Sequence, residues 1–437
     1  MSEESSQTGI RAGCAQECIT PPTGVGLAGY FHQRTGKTVR DDLYARAVVI
    51  EADGRCLALV GCDLIAMDTA IAARAKELIA AHTRIAPHDV LISATHTHTG
   101  PELRAGRVVP RAEAWAEALP ERIAAAVLRA HDRLFAGTVR AGSIDVTGYS
   151  FNRLFRLRDG SEVFGRRVRG TVGVAGPIDP ALQTLSLVDE EGRLRALVVN
   201  FALHVDVIGG GTADFISADW PGEMAANIAA VYGEDVVTVF LQGSAGDINH
   251  NTHDPTRLPR RGPDKAVQLG RALAGAAMCA AERAEPMENV VLGGQLRELR
   301  IPYYTRDAAF MERLAQLRAK PERTPFEDYT LRRGESWPHD GQEAVVPVQA
   351  LRLGDVGLAA FPAEIFARIG LEVKHFSPSP RTLVVELANA TASTYVPTPD
   401  QASRGAYGAL PILSRWLHAD AGRQLADAAQ VMLWELW

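Results

Sequence analysis

The sequence predicts a mixed α/β fold in which helices flank β-sheets built from repeated ββαβ units. Three observations predict it. One order of elements occurs three times along the chain. Each copy opens with two apolar runs joined by a short Asp/Gly turn. Each helical stretch carries the i, i+3, i+4 apolar spacing of a one-sided helix.

The first copy is Tyr44–Glu51, a turn at Asp53–Gly54, Cys56–Cys62, a helix over Thr69–His82 and a strand Val90–Ala94. In the second, Leu182–Val188 turns at Glu190–Gly192 into Ala196–Phe201, followed by a helix near Gly222–Val231 and a strand Val236–Gln242. The third runs Val346–Leu353, a turn at Gly354–Asp355, Gly357–Phe361, a helix Glu364–His375 and a strand Thr382–Leu387. Between the copies the patterning gives a long helix over Arg111–Arg133, strands around Gly137–Thr147 and a helix near Asp264–Ala284. His253–Pro263 and Lys320–Glu343 read as long loops, the second a candidate lid. Ile412–Trp437 reads as an amphipathic helix whose apolar face packs on the core or leaves room for a homo-oligomer.

At 46% hydrophobic and 22% charged residues, the chain has material for a large core. A net charge of -6 with no long Lys/Arg block excludes nucleic acid as a partner. The start, MSEESSQTG, has neither the basic nor the apolar region of a secretion signal. No apolar run approaches the roughly 18 to 20 residues of a membrane helix. Five irregularly spaced cysteines make no disulfide framework, so the expected location is cytoplasmic. The expected organisation is a disordered tail over residues 1–8 and one domain over residues 9–437.

Polar residues concentrate where strands end, and in α/β sheets ligands bind beyond the carboxyl ends of strands. Asp63, His204 and Glu364 follow the second strand of each copy. His96 and His98, the Ser244–Asn251 loop and Tyr395 follow the last. His96-Thr97-His98 is the sharpest local signal. Two residues apart in extended backbone, the imidazoles point the same way, and the pair supplies two metal ligands, or one ligand and one acid/base group. Gly243–Asn251 follows a very apolar strand. Its small residues permit close backbone approach to a ligand, and it lacks the Gly-Lys-Ser/Thr ending of a nucleotide-binding loop.

Several segments occur in an order that resembles the neutral/alkaline ceramidase family, over roughly residues 8 to 410. They are Glu17–Pro22, Gly29-Tyr30, Leu43–Ala47, Thr95-His96-Thr97-His98-Thr99-Gly100-Pro101, Asn152-Arg153, Asn200–His204, Gly246-Asp247 and Phe361-Pro362-Ala363-Glu364. The resemblance implies a ceramidase-like catalytic domain and a zinc-dependent amidase holding one zinc per chain. It implies zinc ligands at His96, His204, Glu364 and Tyr395, and contacts to the reacting amide from His98, Arg153 and Tyr407. Ser244, Asp247 and Asn249 are the substrate-binding candidates of the Gly-rich loop. On that reading the metal activates a water, Tyr407 helps stabilise the oxyanion, His98 shuttles the proton and Arg153 holds a substrate oxygen or carboxylate.

The departures redirect the expected substrate. Ceramidases continue the Gly-Asp loop with a serine and then Pro-Asn, whereas this chain has Gly246-Asp247-Ile248-Asn249-His250-Asn251. Tyr407 is followed by Gly408 where Tyr-Glu-Gly is expected, and no immunoglobulin-like domain follows. A small water-soluble amide, an N-acyl amine or N-acyl amino acid, is therefore expected in place of membrane ceramide. The alternatives are a zinc-dependent lactonase or esterase, and a non-catalytic homologue stabilised by zinc.

Overall fold

Each pair of apolar runs closes into an antiparallel hairpin because its turn adopts left-handed backbone. Asp53 and Gly54 have φ of 49° and 75°, Gly192 has 78° and Gly354 has 59°. A computed structural model describes residues 9–104, 107–165, 169–209, 211–251, 261–288 and 290–437. The expected disordered tail and most of the His253–Pro263 loop lie outside the described residues.

In chain order the main elements begin with β1 (Arg11–Cys18), β2 (Tyr44–Ala52), β3 (Arg55–Cys62), α1 (Thr69–His82) and β4 (Val90–Ala94). Then come α2 (Leu119–Asp132), β5 (Phe135–Asp145), β6 (Ala181–Asp189), β7 (Leu194–Phe201), α3 (Asp219–Tyr232), β8 (Val237–Gln242) and α4 (Pro263–Glu282). The last part holds β9 (Leu292–Pro302), α5 (Ala308–Ala319), α6 (Pro325–Glu335), β10 (Glu343–Leu353), β11 (Val356–Ala360), α7 (Ala367–His375), β12 (Arg381–Val385) and α8 (Ala421–Glu435).

The three expected ββαβ units are present. In each, an antiparallel hairpin is followed by a helix and a strand that pairs parallel to the hairpin's second strand: β3 with β4, β7 with β8, and β11 with β12. The first two units share one sheet, ordered β8-β7-β6-β5-β1-β2-β3-β4, and the third builds a separate sheet, β9-β10-β11-β12.

Alternation within the strands makes two cores. Inward residues of all three units, among them Ile50, Leu59, Leu91, Leu187, Val198, Val239, Leu351, Leu358 and Leu383, form a single shared cluster. Outward residues pack under helices. Ala47, Val60 and Ile92 meet Ile71, Ala75 and Val127; Val199 and Phe240 meet Trp220, Met224 and Leu273; Val348 and Val384 meet Ile369, Leu425 and Leu433. The sheets therefore face one another across a common centre, with helices outside. All three parallel pairs end at loops that carry the candidate polar residues.

Four expected elements need correction, one of them the helix expected from Glu364, which starts at Ala367 because Glu364 and Ile365 pair with Tyr395 and Val396. Lys320–Glu343 is not one long loop. Thr324 and Glu327 form a reciprocal capping box that starts α6, and Asp307 caps α5 ahead of it. The helix expected over Arg111–Arg133 is two pieces, Glu113–Glu117 and Leu119–Asp132, with Pro120 in the first turn of the second. The C-terminal helix begins at Ala421, not Ile412. Ile412 has φ 65°, and Pro411 and Arg415 bridge as extended backbone. Among the described residues no helix is long and apolar enough to cross a membrane, and all five cysteines are free.

Candidate metal centre

β4 delivers His96 and His98 through an abrupt turn. His96 has φ 78°, a left-handed conformation that costs a side-chain-bearing residue on the order of 1 kcal/mol or more, held here by the surrounding contacts. Its Nδ1 donates to the Ile65 carbonyl at 2.7 Å, which turns Nε2 into the centre. Thr97 between them and Thr99 after them face away. Thr97 and Thr99 hydroxyls both donate to the Ser217 carbonyl, at 2.7 and 2.8 Å, and lock the strand end. β7 delivers His204, whose Nδ1 lies 3.4 Å from the Ala245 carbonyl at the start of the Gly-rich loop.

After β11 come Phe361-Pro362-Ala363, and Glu364 follows in a two-residue bridge. That bridge pairs Glu364 directly with Tyr395 in parallel register. The Tyr395 side chain adjoins both Glu364 and Arg153. Tyr395 packs edge-on to Tyr407 with centroids 5.9 Å apart, and the Arg153 guanidinium stands 5.5 Å from the Tyr407 ring centre.

The donor atoms converge. His96 Nε2 is 3.1 Å from His204 Nε2, 3.2 Å from His98 Nε2 and 3.3 Å from Glu364 Oε2, and His204 Nε2 lies 4.0 Å from the same oxygen. His96, His98, His204 and Glu364 are all buried, and the three histidines form a cluster able to hold a metal ion. Burial, reinforced by the adjoining His96 imidazole, pushes the His98 pKa well below the usual range. Burial and then Arg153 do the same to His204, so both are neutral and present lone pairs. Glu364 remains ionised. Burial opposes its charge, but His96 and the hydrogen bonds of His96 and Tyr395 outweigh it and lower its pKa.

This donor set fits a divalent cation. Glu364 Oε2 is buried without a well-aligned hydrogen bond, and one nitrogen cannot satisfy two imidazoles and a carboxylate oxygen at once. Donors each about 2.1 Å from a tetrahedral zinc stand roughly 3.4 Å apart, close to the separations here. A carbonyl partner on Nδ1 is the usual support for a ligating imidazole. His96 and His204 have one. His98 does not: its Nδ1 is buried without a partner.

The Gly-rich loop residues have other neighbours. The Asp247 carboxylate accepts from Ala367 N at 2.7 Å, Asn152 Nδ2 at 2.7 Å and Gln401 Nε2 at 3.0 Å, while its carbonyl accepts the Arg153 N–H at 2.7 Å. It thereby ties the Arg153 segment to the start of α7. Ser244 abuts Gly370 of α7, where an added methyl would meet its hydroxyl at 2.1 Å. Asn249 is buried, and its Oδ1 accepts from Asn251 N and Nδ2. Asp63 accepts from Arg46 at 2.7 Å and from Tyr44 N at 2.9 Å, which makes it a structural anchor at the strand end.

Several neighbours received no role from the sequence, although Gly29-Tyr30 lay among the segments of the resemblance. Behind His98 stands Tyr30, edge-on at 5.6 Å, whose hydroxyl donates to Asp206. Arg34 donates to the His98 carbonyl at 2.6 Å. Gly29 (φ 99°) passes so close that a Cβ would sit 2.3 Å from His98 Nδ1. Glu386, directly after β12, is fully buried and accepts from Ala245 N at 3.2 Å. Burial, together with the charge of Glu364, raises its pKa well above the carboxylate range. Glu386 follows a strand end, the same signal that marked its neighbours.

A family model described as neutral/alkaline non-lysosomal ceramidase, N-terminal, matches residues 11–260. The neutral ceramidase of Pseudomonas aeruginosa is 27% identical over 249 residues, covering 52% of this chain and 35% of that protein. The matched stretch is thus about a third of that relative's length. A crystal structure of neutral ceramidase from Pseudomonas aeruginosa superposes with a TM-score of 0.76 at 23% identity, over 98% of this chain and 75% of the other. A structure titled ceramidase complexed with C2 gives 0.77 at 22% identity, with the same coverage. Both share the fold.

Proposed function

Because the chain belongs to the neutral/alkaline non-lysosomal ceramidase family, we propose that it is a zinc-dependent hydrolase that cleaves the amide bond of a small N-acyl compound. The observation that carries the proposal is the convergence of His96, His98, His204 and Glu364, all buried, on one point that no hydrogen-bonding scheme satisfies. His96, His204, Glu364 and Tyr395 are the proposed ligands. Zinc bound there supplies Lewis acidity and water activation near neutral pH.

The chain's own groups divide the remaining work. His98, whose Nδ1 has no fixed partner, passes a proton to the leaving amine at Nε2. Arg153 keeps its charge. Burial works against it, but Tyr395, Tyr407 and Glu364 outweigh burial and raise its pKa. It orients the two tyrosines and any substrate oxygen between them. Tyr407, 38% exposed, is positioned to donate to oxyanion charge at the mouth of the site. Asp247 positions Arg153 through the backbone. In this proposal Ser244 and Asn249 bound the substrate side of the Gly-rich loop, and residues 9–437 act as one catalytic unit, since all three ββαβ units contribute donors. The reduced cysteines support a cytoplasmic setting.

Metal analysis of the purified chain tests the reading together with a panel of matched N-acyl amides and esters. The expected result is about one zinc per chain, amide turnover, and loss of both in His96→Ala and His204→Ala. Full zinc in the double variant sinks the proposal, and turnover of esters alone moves it to the esterase class.

A further inference from the structure

Two arginines flank one indole beside Tyr395. The guanidinium carbon of Arg107 lies 5.3 Å from the Trp416 ring centre, and that of Arg333 lies 5.9 Å from it. Arg107 follows the His98 loop, Arg333 sits in the last turn of α6, and Trp416 belongs to the segment whose Ser414 carbonyl accepts the Tyr395 N–H at 2.8 Å. Arg107 also donates to the hydroxyl of Thr394, next to Tyr395, at 3.0 Å. The cluster therefore adjoins the metal centre, with α6 as its outer wall.

What it lacks is an anion. Glu102, the nearby carboxylate, is engaged bidentately by Arg104 at 2.8 and 2.9 Å. Among the described residues no carboxylate bonds Arg107 or Arg333. Trp416 Nε1 and Arg333 Nε are both buried donors without an acceptor. Burial, joined by the like charge of Arg104, pulls the Arg107 pKa down to about 10. Half-buried cations and orphaned buried N–H groups are costly unless something negative completes them. Two forked cations over one indole, together with its orphaned N–H, offer the donors that the two oxygens of a carboxylate take.

We propose that Arg107, Arg333 and Trp416 Nε1 form a carboxylate subsite beside the metal centre, and that the substrate is an amide with a carboxylate on one half, an N-acyl amino acid by class. The second clause rests on the hydrolase reading; the subsite does not.

Titration calorimetry on the zinc-loaded chain tests it, with N-acetylphenylalanine and its uncharged primary amide as probes. The wild type should bind the acid at least roughly tenfold more tightly than the amide. Arg107→Gln and Arg333→Gln should each weaken acid binding roughly 10- to 100-fold and leave the amide unaffected, with partial recovery in Arg107→Lys. Equal affinity for the two probes, no binding of the acid, or a preference that both glutamine variants retain overturns the subsite. In the last case the acid sits on the metal. Phenylalanine release from the acid, followed in parallel, separates the two ideas. Selective binding without release sinks the hydrolase reading alone, and release without selectivity sinks the subsite alone. Should Arg107→Gln fold poorly, Arg333→Gln on the helix surface carries the comparison.

Discussion

Glu364 and Tyr395 stand side by side as register partners in a two-residue parallel bridge, although thirty residues of chain and a whole helix and strand separate them. Backbone pairing fixes the carboxylate against the phenol, so the Tyr395 hydroxyl reaches Glu364 without a flexible search. Glu364→Ala should leave the chain with well below one zinc and abolish turnover. Tyr395→Phe keeps the pairing and removes one oxygen, so it should weaken zinc retention roughly tenfold or more against a chelator series. Unchanged zinc affinity in both would remove them from the ligand set.

His98 differs from its two neighbours in having no carbonyl on Nδ1. His98→Asn should therefore keep about one zinc per chain while kcat falls roughly 10²- to 10⁴-fold. His96→Asn and His204→Asn should lose metal and turnover together. If His98→Asn empties the site as completely as the other two, the metal rests on all three imidazoles and the proton must move elsewhere.

Gly29 reports on the same imidazole from outside. Its φ of 99° and the 2.3 Å approach of an added Cβ to His98 Nδ1 leave no room for alanine. Gly29→Ala should tilt His98, lower kcat at least roughly tenfold and keep stoichiometric zinc. Wild-type kcat in a folded Gly29→Ala protein would mean that His98 does not need this support.

Lys76 on α1 is buried and has no carboxylate partner among the described residues; desolvation lowers its pKa from 10.5 to about 7. Between those values the folded chain binds fewer protons than the unfolded one, so this group makes stability rise with pH across the window. Lys76→Met should flatten that part of the stability–pH curve. At neutral pH it should also raise the unfolding free energy by on the order of 1 kcal/mol. Denaturant melts at pH 7 and 9 check this, and an unchanged slope between them counts against it.

The ββαβ units were legible because their signals are local: Asp/Gly turns, alternation and helical spacing each lie within a dozen residues. The strand-end rule also brought His96, His204 and Glu364 into view. Other parts were not local. β1 has a mixed burial pattern and takes its place by pairing with β2 along its whole length, which no window of its own sequence announces. Long β9 alternates intermediate and exposed residues and reads as surface until β10 pairs with it. The capping box at Thr324 and Glu327 was readable, but the prolines and mixed charges of the stretch outweighed it. Asp206, Arg107 and Trp416 have ordinary local surroundings and acquire meaning only from what the fold sets opposite them.

The shared core has a mechanical consequence. His96 comes from the first unit, His204 from the second, and Glu364 with Tyr395 from the third, while Ile50, Val198 and Leu351 of those same units meet in the centre. Sliding any one sheet by a fraction of an ångström must drag a donor with it. An ion bound across the three is then a rivet through the whole molecule. Its grip registers how well apolar side chains far from the chemistry are seated, and trimming Leu351 to alanine should loosen the metal as surely as it softens the protein.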